Sequence, residues 1–561
     1  LKVAILDGYV DEPTCLGVPP YLSTYPRYVA GALIKSGLPE ESITYTTIDA
    51  FRKNVKEKEK IVTADIVFVI AGLTVPGRYL GGTPITAKEL EEIGKFPMFT
   101  IVGGPMQFGF SMRGGTLAKR LDLSGYNLIV KGDIEKAALI IGKSLLEGKS
   151  LPEGNLEFKI TPREVDLIAP LGAFIVNEHP NFPHIICEIE TYRGCERKRH
   201  CSYCTEKFYG NPEFRTIKGI EKEVRELFNH GVKFFRIGRQ PNILGFMGKP
   251  TEGDFTKPSS ETICTLFKKI KEIGNIKTLH IDNVNAGTIA VFPEESEKAL
   301  KCIATYDTEG DVAAFGLESA DETVIAKNNL KVTPEGIEKA IEIVNRVGGF
   351  KERENGLYKL LPGINFLVGL PGETKKTFEK NKDFLKKILD RGLLLRRINI
   401  RQVMVFEGTD IADMVKNPKT RYKREFEKFK QFVKEEIELP MIKKVFPTGT
   451  LIKDVLLEAY DGGHTLGRQL ATYPILIRIP DKLPLNMMID ITVVGHRERS
   501  VIGLPYPLNI NKVSLKLISF LPGISKRTAS DIILKRPFKN KEEFLKLFSG
   551  LEKVVQYITF E

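Results

Sequence analysis

The chain has 561 residues, of which 42% are apolar and 27% charged, an ordinary soluble composition with room for three or four domains. No apolar run reaches the roughly 18 residues of a membrane span, and the opening "LKVAILDGYV" reads as a strand entering a Gly turn, not as a signal peptide. A cytoplasmic protein with reduced thiols and no membrane partner is therefore predicted, in which clustered cysteines bind metal more readily than they pair. The net charge is +12, and Met441–Glu561 carries 18 Lys and Arg against 11 Asp and Glu. A basic end suits a polyanion such as RNA or DNA. The competing explanation is the Lys-rich surface common in thermophilic, archaeal-type chains.

Taken in order, residues 1–150 alternate strand and helix. "KVAILD", "ADIVFVIAG", "MFTIVGG" and "YNLIVKGD" are strands; "YPRYVAGALIKSG", "TAKELEEIGKF" and "IEKAALIIGKSLLEG" are helices, and "GGTLAKRLD" reads as a helix start. This order predicts an α/β fold with a Rossmann-like parallel sheet, its ligands at the carboxyl ends of the strands. The turns there are Gly-rich, as in "IAGLTVPG" and "VGGPMQFG". Residues 151–180, with Pro, Glu and Gly, read as a linker. Alternation resumes over 181–440 with the strands "HIICEIE", "VKFFRIG", "KTLHID", "AAFGLES", "GINFLVGLPG" and "RINIRQVMVF". These predict a partial or full (β/α) barrel, closed by the solvated helix "TRYKREFEKFKQFVKEEI". Residues 441–508 change to short strands and turns, a small β-barrel. Residues 509–561 are helical with a Pro-Gly turn.

Three of the seven cysteines, Cys195, Cys201 and Cys204, fall in "GCERKRHCSYCTEK". A structural zinc takes four protein ligands, and His200 is poorly placed to share a metal with adjacent Cys201. Three thiolates on one loop suit a [4Fe–4S] cluster with one iron left open. The loop follows the first barrel strand, so it sits at the carboxyl end, where barrel chemistry is done. Cys187, Cys264 and Cys302 read as small buried hydrophobes.

With this loop the chain resembles the radical S-adenosylmethionine (SAM) superfamily, whose common spacing Cys-x3-Cys-x2-Cys becomes Cys-x5-Cys-x2-Cys here. Tyr203 occupies the family's aromatic position near the adenine. "FRIGRQPNI" places Gly238, Arg239 and Gln240 at the turn that holds the methionine amino group, in a form close to the methylthiotransferase branch. "FGLESADETVIAKNN" places Glu318 and Ser319 toward the SAM ribose or carboxylate. "FLVGLPGET" places Val368, Gly369 and Leu370 at the adenine. The resemblance implies an enzyme in which SAM is cleaved by one electron from the cluster, giving a 5′-deoxyadenosyl radical that takes a hydrogen atom from substrate. It also implies an electron donor such as ferredoxin or flavodoxin.

The first domain resembles the cobalamin-binding domain that precedes many such cores, with Gly103-Gly104-Pro105 and Gly132-Asp133 at its recurrent turns. The Asp-x-His-x-x-Gly motif is absent, so cobalamin would bind without a protein histidine, and a cofactor-free domain is the alternative. Methylthiotransferases carry a second cluster on three cysteines there; this chain has only Cys15, which disfavours methylthio transfer by that route. The β segment resembles the OB-like TRAM module, implying phosphate contacts at Arg468, Arg478, His496, Arg497 and Arg499. "FLPGISKRTASDIILKR" resembles a helix-hairpin-helix, implying a phosphate held at Gly523, Ser525, Lys526 and Arg527. The whole predicts modification of a structured RNA, tRNA first. A protein or small-molecule substrate, or a nucleic-acid-binding protein with a structural metal, are the alternatives.

Overall fold

The computed structural model describes residues 1–10, 20–72, 80–111 and 114–561; Cys15 and most of the turn "IAGLTVPG" lie outside them. In chain order the first strands are β1 (Val3–Asp7), β2 (Tyr21–Leu22), β3 (Ile43–Thr47), β4 (Ile66–Ile70), β5 (Phe99–Gly103), β6 (Thr116–Leu117), β7 (Leu128–Gly132) and β8 (Gly154–Phe158). Six of them make a parallel sheet in the order β3-β1-β4-β5-β7-β8. "VAILD" and "IVFVI" are buried along their whole length, as strands covered on both faces must be.

Two sequence expectations change here. "GGTLAKRLD" forms no helix: Thr116–Leu117 is an extended pair, and Lys119 bridges back to Phe110. Two glycines and a β-branched residue at its start give no helical apolar stripe. The stretch read as a linker is ordered: β8 is the sheet's edge strand, and helix Pro162–Ile168 follows it. Its strand is mostly exposed, so it lacks the apolar alternation that marks a strand in sequence.

The second unit begins with β9 (Ile186–Glu190). A small hairpin, β10 (Tyr192–Arg193) with β11 (Glu213–Phe214), follows it; then come β12 (Phe234–Gly238), β13 (Thr278–Ile281), β14 (Asp311–Glu318), β15 (Leu360–Val368), β16 (Arg397–Gln402) and β17 (Met404–Val405). Pairing runs in parallel through β9-β12-β13, across an Asn283–Ala314 bridge to β14, and on through β15 to β16. No ladder joins β16 to β9 among the described residues, so the barrel is open on that side. The first unit flanks the opening: β2 pairs with β9, and β6 with β17. Arg27, on the first unit's helix Thr24–Ser36, ion-pairs with the fully buried Glu223 of the barrel helix Ile217–Asn229.

Cys264 and Cys302 are not buried hydrophobes. They lie half-buried on the neighbouring helices Ser260–Lys271 and Pro293–Tyr306 and form a disulfide; Cys187 is buried and free. A pairing between helices 38 residues apart leaves no mark in sequence.

The third unit is a closed barrel of β18 (Leu451–Asp461), β19 (His464–Gln469), β20 (Leu476–Ile479), β21 (Met488–Arg497) and β22 (Ser500–Pro505) around Val455, Ile477, Ile491 and Val501. It seats beneath the open barrel, where Leu456 and Leu470 meet Tyr21, Ile186 and Phe234. The chain ends with helices Leu515–Ile518, Lys526–Lys535 and Lys541–Leu547. No helix of the described residues is long and apolar enough to cross a membrane.

Candidate active site

The cysteine loop leaves the carboxyl end of β9 and is closed at its base by β10 and β11. Cys195 N donates to Gly210 O at 3.3 Å, and Cys204 N to Cys201 O at 3.1 Å. Ser202 anchors the middle: its N donates to Asn328 O, its hydroxyl to Asn328 Oδ1 at 2.8 Å, and its carbonyl accepts from Ile411 N. Arg197 Nη1 donates to Cys201 Sγ at 3.0 Å and to Asn329 O at 2.8 Å, while Nη2 pairs with Asp254. The loop is thus held by Gly210, Asn328, Asn329, Asp254 and Ile411, residues from well-separated parts of the chain.

Burial pushes all three thiols above their ordinary range, Cys204 up to about 12. Lys331 opposes this, and its own pKa is raised because all three sulfurs and Glu318 surround it. Three thiols, Cys201 buried and Cys195 and Cys204 half-buried, with two cations facing them suit a group that binds them as thiolates and leaves negative charge to be offset. Among the described residues no three Cys, His, Asp or Glu side chains gather about a single metal ion. The thiolates of a [4Fe–4S] cluster each take a different iron and need no such convergence. Burial holds the His200 imidazole below its ordinary pKa, and the charges of Arg197 and Lys207 add to this.

A cavity of about 170 Å³ opens beside the loop. Tyr203 and Cys204 line it from the loop, Glu318 from the end of β14, Asn365 and Leu367 from β15, and Asn399, Arg401 and Gln402 from β16. Glu318 sits at a register shift with φ of +64°, a conformation held only where the surroundings impose it. It shares a hydrogen bond with Tyr203, and burial raises its pKa against the field of Lys331.

The structure therefore gathers Cys204, Tyr203 and Glu318 about one cavity and leaves other expected contacts off its wall. Gly238 ends β12 where a Cβ would come within 2.5 Å of Glu188 Oε1. Arg239 turns toward the first unit, with its guanidinium 4.4 Å from the Tyr209 ring and Nη2 donating to Tyr25. Gln240 accepts from Thr191 and donates to Ile237 O; the next residue, Pro241, is the one on the wall. Ser319 Oγ accepts from Asp321 N. Val368 is in the core, Gly369 N donates to Glu373, and Leu370 packs in an apolar cluster with Tyr203. Lys331, Arg401 and Tyr473 were not among the expected residues. "RINIRQ" did hold a signal, since Arg397, Asn399 and Arg401 alternate with isoleucines and so share one strand face.

Tyr473 comes from the small β-barrel. The loop between β19 and β20 climbs into the opening: Thr472 N donates to His280 Nδ1, and the Tyr473 hydroxyl to Asp282 at 2.6 Å. Asp282 also pairs with Arg236, which pairs with Glu188. The third unit thus contributes a wall of the cavity.

A separate cavity of about 440 Å³ lies at the carboxyl ends of β5, β7 and β8, lined by Gln107, Phe108 and Gly132. Phe208 and Tyr209, directly after the cysteine loop, form its far side, with Phe108 4.9 Å and 5.4 Å from their rings. Of the residues expected to meet RNA, Arg468 pairs with Glu458, Arg478 with Asp461 and Arg499 with Glu438; His496 hydrogen-bonds Phe446 O. Arg468 is half-buried and Arg499 exposed, and both line a cavity between the small β-barrel and β16. Arg497, Gly523, Ser525, Lys526 and Arg527 are exposed. Ser525 caps helix Lys526–Lys535 by accepting from Thr528 N, and Gly523 has φ of +82°.

Residues 189–385 match the radical SAM superfamily. The chain is 41% identical over 556 residues, 99% of each, to an uncharacterized protein of Archaeoglobus fulgidus. It is 24% identical to the ribosomal protein uS12 methylthiotransferase RimO of Caldanaerobacter subterraneus, over 57% of this chain and 67% of that one. It is also 24% identical to the tRNA-2-methylthio-N(6)-dimethylallyladenosine synthase of Petrotoga mobilis, over 42% and 49%. Among solved structures, the radical S-adenosylmethionine methyltransferase TsrM of Kitasatospora setae covers 73% of this chain with 74% of its own, at TM-score 0.50 and 13% identity, a likeness of fold.

Proposed function

Because the chain belongs to the radical SAM superfamily, an enzyme class that works with a [4Fe–4S] cluster and SAM, we propose that it modifies a structured RNA, tRNA first, in the cavity beside Cys204. The observation that carries this reading is the pinned loop of three thiols, Cys201 buried and Cys195 and Cys204 half-buried, opening onto a cavity lined by Tyr203 and Glu318. Cys195, Cys201 and Cys204 would hold the cluster. When bound, cluster and SAM supply one-electron chemistry able to open an unactivated C–H bond. Lys331 and Arg197 offset the charge of the thiolates. Arg401 supplies a donor for a carboxylate, Glu318 an acceptor for a hydroxyl or ammonium group, and Leu367 with Phe366 an apolar wall that excludes water. RNA is supported by the basic carboxyl-terminal segment and the exposed Lys526–Arg527 pair beside a capped helix start. A reductant such as ferredoxin or flavodoxin completes the cycle.

A further reading concerns the first unit. Its cavity shares Phe208 and Tyr209 with the segment leaving Cys204, so a cofactor there adjoins the cluster loop. Cobalamin at that place would make the reaction a methylation. The protein incubated with hydroxocobalamin and desalted is then expected to retain it, as read by its visible spectrum. For the enzyme as a whole, mass spectrometry of RNA nucleosides from cells lacking the protein should find one modification missing. An unchanged nucleoside profile would move the substrate to a protein or small molecule.

A further inference from the structure

A third cavity, of about 340 Å³, lies in the seam between β16, the β19–β20 loop and the helix that ends at Val445. Four guanidinium groups line it: Arg396 and Arg397 at the start of β16, Arg468 and Arg499 from the small β-barrel. Arg468 is matched by Glu458 and Arg499 by Glu438. Arg396 and Arg397 have no carboxylate ion pair among the described residues. They are held by other means. Arg396 Nη2 donates to Tyr473 O at 3.0 Å and its guanidinium lies 4.8 Å from the Phe446 ring; that of Arg397 lies 3.9 Å from the Tyr473 ring.

We propose that this cavity is a binding site for a phosphate monoester, with Arg396 and Arg397 as its charge-matching residues and Arg468 and Arg499 at its rim. The class follows from charge and shape. Two positive charges remain after the two ion pairs, and a monoester carries close to two negative charges at pH 7. Planar guanidinium forks suit its oxygens better than a point charge does, and aromatic stacking fixes their direction in advance. A diester or a simple carboxylate, with one charge, would leave one arginine unmatched. Burial and the neighbouring Arg397 press the Arg396 pKa down to about 9, so an anion here also relieves a desolvated cation.

Position gives the site a use. Asn399 and Tyr473 line this cavity and also the one beside Cys204. The organic part of a monoester seated on Arg396 and Arg397 therefore has a route past those two side chains toward the reaction space. The phosphate site itself stands whatever that space modifies.

The probes are adenosine 5′-monophosphate, adenosine, and an octameric oligoribonucleotide with either a 5′-phosphate or a 5′-hydroxyl, each titrated calorimetrically into the full-length protein. Expected is saturable binding of the monophosphate and none of adenosine. R396Q/R397Q should weaken it roughly tenfold or more, and R397K, which keeps the charge but loses the fork stacked on Tyr473, should weaken it by a smaller factor. Should the double variant fail to fold, R499Q is the second test, with a smaller loss. Binding of the phosphorylated octamer alone would keep the site and make an RNA end its source. Equal binding of both octamers would mean recognition of backbone diesters and would overturn the monoester assignment. Absence of binding by every probe, or binding unchanged in R396Q/R397Q, would remove the site.

Discussion

The cysteine loop and the carboxyl-terminal hairpin are both turns that follow a regular element, and they are built in opposite ways. The loop is tied by distant parts of the chain: Asn328 and Asn329 after β14, Asp254, and Ile411. The hairpin turn is closed by local bonds, Leu521 N on Ile518 O, Ile524 N on Leu521 O, and Thr528 N on Ser525 Oγ, while its helices rest on the small β-barrel through Lys516 Nζ on Gly463 O and the packing of Leu521. Cys201 is buried, whereas Gly523, Lys526 and Arg527 are exposed. A site that must hold reactive groups in fixed positions needs the first construction, and one that grips a large external partner by charge needs the second.

The strongest test of this contrast is C201A. Anaerobically reconstituted protein should carry about four irons and form 5′-deoxyadenosine from SAM. The variant should lose both, with the circular dichroism of the fold kept. Next comes R197M. It removes the donor to Cys201 and leaves Asp254 without its guanidinium partner, though still accepting from Arg199 N, so stability should fall by about 2–4 kcal/mol in urea titration. Loss of a hydrogen bond to a thiolate also makes reduction harder, so the cluster potential should move to more negative values. If R197M is as stable as the wild type, the loop is not pinned as described.

The layered α/β order, the open barrel and the small closed barrel were legible because each strand carries an apolar run or alternation of its own. The cysteine trio stands out in the sequence because its spacing is local. Lys331, Arg401 and Tyr473 were harder for a shared reason. Their place depends on segments far apart in sequence, Tyr473 above all, since its loop belongs to another unit. Arg239 shows the reverse failure: a residue in a recognizable turn faces away from the cavity because Tyr25 and Tyr209 offer it a hydroxyl and a ring. The disulfide and the edge strand β8 had no periodic signal at all.

Tyr473 sits between the two extremes, a residue of the third unit fixed inside the second. Y473F removes a hydrogen bond to the buried Asp282 and keeps the ring beside Arg397. Asp282 retains Arg236, so the cost should be about 1–2 kcal/mol. Iron content should be unchanged. A loss of iron in Y473F would mean that the third unit supports the cysteine loop itself.

The smallest effect on the fold belongs to the hairpin. K526A/R527A alters two exposed side chains and should change stability by less than about 0.5 kcal/mol. RNA affinity is another matter. Each neutralised phosphate contributes a slope of about −0.7 to −0.9 in log K against log salt, so the double variant should flatten that slope by roughly one to two. Gly523 sharpens the point. No atom lies within 4 Å of where its Cβ would be, so the space around Gly523 is open; but φ of +82° is strained for valine. Its effect must come through the shape of the turn that presents the helix start at Ser525. RNA binding should therefore weaken in G523V while iron content and SAM cleavage without RNA stay at wild-type values. Unchanged affinity and slope in both variants would mean that the hairpin only packs, and the contrast between an inner pinned loop and an outer gripping one would lose its second half.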